Sequence, residues 1–164
     1  MSSLSGGAAP AIEPMAERDL AEAVEIDLES FAPGELGAGV EDPRVTRERS
    51  LREELVRPWS RVRAARDEAG GVLGYALFWL VVDEVQLLNV AVAMGARRRG
   101  IGRALVLDML AYARERGAVR VLLEVRSSNA PAIALYERLG FERFNVRERY
   151  YADGEDAIEM QLAL

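Results

Sequence analysis

The chain of 164 residues has no cysteine and no histidine, and all 21 of its basic residues are arginine. These absences together exclude disulfides, thiolate zinc sites, cysteine nucleophiles, imidazole acid–base relays and Schiff-base lysines. Whatever chemistry the protein performs must run on carboxylate, tyrosine, hydroxyl or backbone groups, and no metal is expected. Long apolar runs are missing as well. The longest uncharged stretches, 71–82 and 85–96, are separated by Asp83 and Glu84 and fall short of the roughly 20 residues that span a bilayer. Residues 1–10 lack the basic and apolar regions of a signal peptide and read as a flexible Ser/Gly/Ala tail. A cytoplasmic protein without membrane association is expected.

The rest of the composition is that of a globular protein, 50% hydrophobic and 29% charged. Its length suits one domain, expected over residues 11–164 and able to bury roughly 70% of its unfolded surface. Against the 21 arginines stand 27 acidic residues, for a net charge of −6. That balance argues against a nucleic-acid partner and suits a cationic one.

A short strand over 11–15 precedes an apolar-periodic stretch from Asp19 (Leu20, Val24, Leu28, Phe31), which predicts a helix. A Gly/Pro-rich acidic loop follows over 33–43, then a charged helix over 46–57 that Pro58 ends. From Trp59 the period changes from helical to two. Strands over 59–66, 72–82 and 85–92 form a meander with turns at 68–71 and 83–84. A strongly helical run over 101–116 is stopped by Gly117, and 119–125 is an almost unbroken apolar strand. Asn129 or Ala130 opens another helix, with Pro131 in its first turn and Gly140 at its end. Two strands, 141–149 and 157–164, flank an Asp153-Gly154 turn. This order implies an α/β (α+β) fold on a mixed sheet, and the connection from 85–92 to 119–125 must be a right-handed parallel crossover.

The most specific local feature is Arg97-Arg98-Arg99-Gly100-Ile101-Gly102-Arg103, which joins an apolar strand to a helix. Free N–H groups and the dipole at a helix start favour an anion, glycines allow close approach, and the arginines add cationic reach. Neither Gly-x-x-x-x-Gly-Lys-Ser/Thr nor Gly-x-Gly-x-x-Gly is present, so the anion is not a Walker-bound triphosphate. Two plainer readings stand beside this one. The glycines merely let the helix pack tightly beside a solvated arginine run, or the run binds nucleic acid, which the acidic remainder and the lack of interleaved aromatics disfavour.

Arg97-x-x-Gly100-x-Gly102 after Leu88-Asn89-Val90-Ala91-Val92 resembles the acetyl-coenzyme A pyrophosphate loop of the GNAT acetyltransferase superfamily. Residues 123–141, from Leu-Glu-Val-Arg through Ser-Ser-Asn-Ala-Pro to Leu-Tyr-Glu-Arg-Leu-Gly-Phe, look like that superfamily's second motif. In detail they are similar to its RimI group, which acetylates the N-terminal alanine of a small-subunit ribosomal protein. Arg149-Tyr150-Tyr151 and Asp156-Ala157-Ile158-Glu159-Met160 match that group as well. The resemblance is strong over 85–162 and weak in the first half.

It implies a GNAT-type mixed, mostly antiparallel sheet with splayed parallel central strands and about four helices, with acetyl-coenzyme A in the gap. The backbone of Val90, Ala91 and Val92 would then bond the pantetheine arm and acetyl carbonyl. Arg97, Arg98, Arg99, Gly100, Ile101, Gly102 and Arg103 would surround the pyrophosphate, and Asn129 would contact the cofactor from the next helix. In RimI-like enzymes the general base is the Glu of Leu-Glu-Val-Arg, here Glu124, and the general acid is the Tyr of the following helix, here Tyr136. Physical chemistry agrees with both roles. An α-amine has a pKa of about 7.7 to 8 against about 10.4 for lysine, so a carboxylate acting directly or through water can deprotonate it. Phenol, at about 10, keeps a proton for a thiolate leaving group.

Plainer roles exist for these residues: Glu124 paired with Arg126 or Arg120, Tyr136 as a core side chain, and Tyr150 or Tyr151 as the acid or a substrate contact. Tyr75, Trp79 and Trp59 read as core or sheet-face aromatics. One departure from the RimI pattern concerns the substrate's entrance, where Phe31-Ala32-Pro33-Gly34 replaces a Phe-Pro-Trp-Ser type segment. It leads into the acidic loop, whose Glu35, Glu41 and Asp42 suit a basic peptide and equally suit a plain solvated surface. The function expected is direct acetyl transfer, in a ternary complex, to a protein N-terminal α-amine. A small-molecule amine acetyltransferase and a non-catalytic acyl-coenzyme A-binding module are the alternatives.

Overall fold

A computed structural model describes residues 9–31 and 41–164. The expected tail, up to residue 8, and residues 33–40 of the acidic loop, Glu35 among them, lie outside the described residues. Seven strands, β1 (Ala11–Pro14), β2 (Ser60–Arg66), β3 (Val72–Val81), β4 (Glu84–Val92), β5 (Arg120–Arg126), β6 (Glu142–Arg147) and β7 (Ala157–Ala163), form one sheet in the order β1-β2-β3-β4-β5-β7-β6. Every neighbouring pair is antiparallel except β4 and β5. The helices among the described residues are α1 (Leu20–Ser30), α2 (Pro43–Val56), α3 (Ile101–Glu115) and α4 (Ala130–Arg138). This is the mixed, mostly antiparallel α/β architecture expected, with its parallel crossover through α3.

Most element boundaries fall within a residue of the sequence reading, and two larger differences have a local cause. Helix α2 starts at Pro43 instead of 46, because the Asp42 side chain accepts the Arg44 N–H at 2.9 Å and proline sits pre-set in the first turn. Strand β6 ends at Arg147 instead of 149. Arg149 takes a positive φ of 51°, and its N–H is bonded by Asp156 at 2.9 Å, which turns the chain out of the ladder.

Apolar spacing decides which face each helix covers. Ile101, Leu105, Val106, Met109, Leu110 and Ala113 form the buried stripe of α3. Most of that stripe packs with Ile133 and Tyr136 of α4 against Phe78, Val85, Leu87, Val121 and Leu123. On the opposite face, Leu20, Ala23, Val24 and Ile26 of α1 and Leu51 of α2 cover Val62, Tyr75, Leu77 and Ala91.

The two parallel strands pair only at their starts, 84–87 with 120–123. Farther on, residues 89–92 remain bonded to β3 and 124–126 to β7, and the strands separate from each other. A bulge sits where the separation begins. Leu77 faces Asn89 and Phe78 faces Leu87, which leaves Leu88 as an extra residue. One inserted residue reverses the side-chain alternation. Leu87 points to the α3 face, whereas Asn89 points to the α1 face, where its side chain bonds Tyr75.

Candidate active site

The gap between β4 and β5 opens into a cavity of about 780 Å³ whose wall includes Asn89, Val90, Glu124, Val125, Asn129, Tyr136, Tyr150 and Tyr151. Alternation along β5 sends Val121, Leu123 and Val125 to the α3 face and Glu124 to the α1 face. Tyr136 rises from α4 on the other side, 8% exposed, with its ring centre 5.6 Å from that of Phe141. A carboxylate and a phenol therefore reach one cavity from opposite faces of the sheet. Burial, reinforced by nearby Tyr151, pushes the Tyr136 phenol up to about 12.

Glu124 pairs with neither arginine weighed from the sequence. Arg126 binds Asp153 at 2.9 Å and Glu155 at 2.8 Å and stacks over the Tyr151 ring at 4.0 Å, while Arg120 holds Glu84. The cation beside Glu124 is Arg147, at 3.6 Å. Cross-strand register places Glu124 directly opposite Glu159, an arrangement in which like charges repel. The Arg147 Nε donates to Glu159 at 2.9 Å while its Nη1 faces Glu124, and Asn145 donates to the second Glu159 oxygen at 2.6 Å. One guanidinium thus answers both carboxylates. Tyr150 also lies here, its phenol pushed above the ordinary value chiefly by its hydrogen bond to Glu124. The connection carrying Tyr150 and Tyr151 is tied to the start of α4 through Glu155, which Ser128 and Arg126 hold down to about 2.

At the other end of the free β4 edge lies the arginine loop. Gly100 caps α3 in the left-handed region at φ 76°, with no side-chain cap, so the first-turn N–H groups remain available. Arg98 is left-handed too, at φ 61°. A Cβ on Gly102 would meet Val92 at 3.8 Å and Leu135 at 3.9 Å, ordinary contacts, so close helix packing is not what requires glycine there. Arg97 turns back, donating to the Val92 carbonyl at 3.2 Å and Ser30 Oγ at 3.3 Å. Arg98, Arg99 and Arg103 are exposed and make no ion pair among the described residues. The cavity thus brings together Val90, Glu124, Asn129 and Tyr136. Ala91, Val92 and the loop from Arg97 to Arg103 stand outside its wall, with Ala91 buried against the α1 side.

The profile of the acetyltransferase (GNAT) family matches residues 21–141. The chain belongs to this family. A ribosomal protein bS18-alanine N-acetyltransferase of Escherichia coli is 45% identical over 98 residues, which are 58% of this chain and 66% of that protein's length. An N-alpha-acetyltransferase of Sulfurisphaera tokodaii is 46% identical over 85 residues, 51% of each chain. The crystal structure of the Escherichia coli ribosomal-protein-alanine enzyme superposes with a TM-score of 0.74 at 32% identity, covering 93% of this chain and 92% of that one. The GNAT match takes in the arginine loop, Glu124 and Tyr136. Arg147, Tyr150 and Tyr151 lie beyond it.

Within this GNAT fold, one group escaped the sequence reading. Asp27 is fully buried and accepts the Tyr75 hydroxyl and Arg47 Nε, each at 2.5 Å, while Asn89 donates to the Tyr75 oxygen at 2.8 Å. Tyr75, read as a core aromatic, is the centre of a polar cluster whose Arg47 and Asn89 line the cavity, and burial pushes its phenol well above the usual range. The available signal was Asp27 itself, an acid in register with Leu20 and Val24 on the apolar stripe of α1. Of the two readings of the acidic loop, the described residues favour the solvated surface. Glu41 is engaged by Arg49 at 2.8 Å and by Thr46, and Asp42 caps α2, so neither is a free charge awaiting a basic peptide.

Proposed function

We propose that residues 11–164 act as one acetyltransferase unit that moves the acetyl group of acetyl-coenzyme A directly to the α-amine at a peptide or protein N-terminus. The observation that carries this reading is the placement of Glu124 and Tyr136 on opposite faces of one opening. Acceptor and leaving group then have separate sides. The residues fit the cosubstrate: among the described residues, β4 has a free edge at Val90, Ala91 and Val92, α3 starts uncapped beside three arginines without an ion pair, and Asn129 lines the cavity. Acetyl-coenzyme A supplies the activated thioester.

N–H groups along the free edge of β4 hold the arm and stabilise negative charge developing on the acetyl carbonyl oxygen. The N–H groups of Gly100, Ile101 and Gly102, with Arg98, Arg99 and Arg103, hold the pyrophosphate, and Arg97 braces the loop against β4. Glu124 accepts a proton from the α-amine, directly or through water, as nitrogen bonds the carbonyl carbon. The carbon–sulfur bond breaks, and Tyr136 gives its proton to sulfur; a phenol pushed to about 12 is fully protonated at neutral pH. With no cysteine in the chain, no acyl-cysteine intermediate forms. The N-terminal alanine of a small-subunit ribosomal protein is the acceptor that the relatives' names favour.

Incubation with acetyl-coenzyme A and peptides beginning Ala-Arg or Met-Lys tests this, read by thiol release and peptide mass. The expected result is one acetyl group on the N-terminus, with Glu124→Gln lowering kcat about 100-fold or more at unchanged cosubstrate affinity. Acetylation of polyamines or aminoglycosides without peptide turnover would favour the small-molecule alternative. Cosubstrate binding by calorimetry without turnover on any amine would mark a binding module.

A further inference from the structure

The acceptor-facing half of the cavity contains a cation that the transfer chemistry does not use. Arg47 of α2 lines the wall with Phe31 and Asn89, its side chain 24% exposed. Its Nε is fixed by buried Asp27, one terminal nitrogen reaches the Tyr75 hydroxyl at 3.4 Å, and its guanidinium carbon lies 5.9 Å from the Phe31 ring centre. These contacts set the orientation of the planar fork, while Nη1 has no hydrogen-bond partner among the described residues. Asn89 and Glu124 point to the same face of the sheet as Arg47, so a donor and the carboxylate share the side from which an amine must approach.

We infer that Arg47 donates a hydrogen bond to the carbonyl oxygen of the acceptor's first residue, making the substrate class an aminoacyl amide, the start of a peptide chain. This rests on the α-amine reading above and adds how the acceptor is told from other amines. An alkylamine has no oxygen to offer. A free amino acid offers a carboxylate, but both guanidiniums on the cavity wall among the described residues already hold an acid: Arg47 with Asp27, and Arg126 with Asp153 and Glu155. A neutral amide oxygen needs only the spare N–H, whereas a second anion would crowd the first.

Two peptides beginning Ala-Arg, identical except that sulfur replaces the first carbonyl oxygen, test the contact, because a thioamide accepts hydrogen bonds weakly. They are compared on the wild type and on Arg47→Lys, which keeps a cation against Asp27 but loses the fork. Thermal unfolding checks that the variant is folded, and the KM for acetyl-coenzyme A checks the other half of the site. The wild type is expected to show a KM about tenfold lower for the oxygen peptide. In Arg47→Lys that KM rises about tenfold with kcat nearly unchanged, and the two peptides become equivalent. Peptide turnover with the same oxygen preference in both proteins would overturn the role of Arg47 and leave the α-amine reading standing. No peptide turnover by the wild type would overturn both, and faster turnover of free alanine than of the peptide would overturn the carbonyl contact.

Discussion

At the mouth of α3, Arg98, Arg99 and Arg103 stand exposed without an ion-pair partner among the described residues, whereas across the opening Arg47, Arg126 and Arg147 each hold a carboxylate. The chain has only one basic residue type, so the contrast comes entirely from where the acids are. An unpaired guanidinium keeps its charge for a ligand that comes and goes. A paired one contributes little net field and acts by its geometry, ordering an aspartate, a tyrosine ring or two opposed glutamates. In the proposed mechanism, the first set binds an anion by its charge, whereas the second acts by a fixed geometry, Arg47 upon the acceptor and the others upon neighbouring side chains.

The largest expected effect comes from Gly102→Trp. An indole built from a position 3.8 Å from Val92 and 3.9 Å from Leu135 fills the space between the end of β4 and α4. Calorimetry should show coenzyme A affinity falling about 100-fold or more, and intact affinity would remove the loop from the binding role. Next comes the paired set. Asp27→Ala leaves Arg47 and Tyr75 without their buried acceptor and should cost about 3–5 kcal/mol in urea unfolding, against about 0.5 kcal/mol or less for Arg98→Ala. Equal costs would erase the distinction between the two groups of arginines. The smallest effect is expected for Tyr136→Phe, a fall in kcat of about 10- to 100-fold. Because burial raises this phenol to about 12, its proton is lost only as pH rises through that value. The wild-type kcat should therefore show no alkaline fall from Tyr136 below about pH 11; a fall near pH 9 would assign the proton donor elsewhere.

Local pattern made most of the fold legible. The alternation from Trp59 onward gave the meander, the stripe from Ile101 to Ala113 gave α3, and an apolar strand on each side of it required the parallel crossover. The residues placed at the opening were legible by another route, the resemblance of two short motifs to those of the GNAT superfamily, which carry Val90, Glu124, Asn129 and Tyr136. What escaped was non-local. Asp27 meets Arg47 and Tyr75, 20 and 48 residues away, and Glu124 meets Arg147 only because β6 returns outside β7. The bulge left a faint trace. Val85 and Leu87 alternate in one phase and Val90 and Val92 in the other, and a single extra residue at Leu88 accounts for the change.

The separation of β4 from β5 leaves backbone donors and acceptors on an inner edge of the sheet, a place where a strand ordinarily completes its ladder. A ligand that takes those bonds stands in for the missing stretch of strand, so it joins the folded state as a structural part as well as a reactant. Its binding free energy then adds to the stability of the whole sheet, about 2.7 kcal/mol at a hundred times Kd. The melting temperature of the protein becomes a gauge of how much acyl donor its surroundings contain.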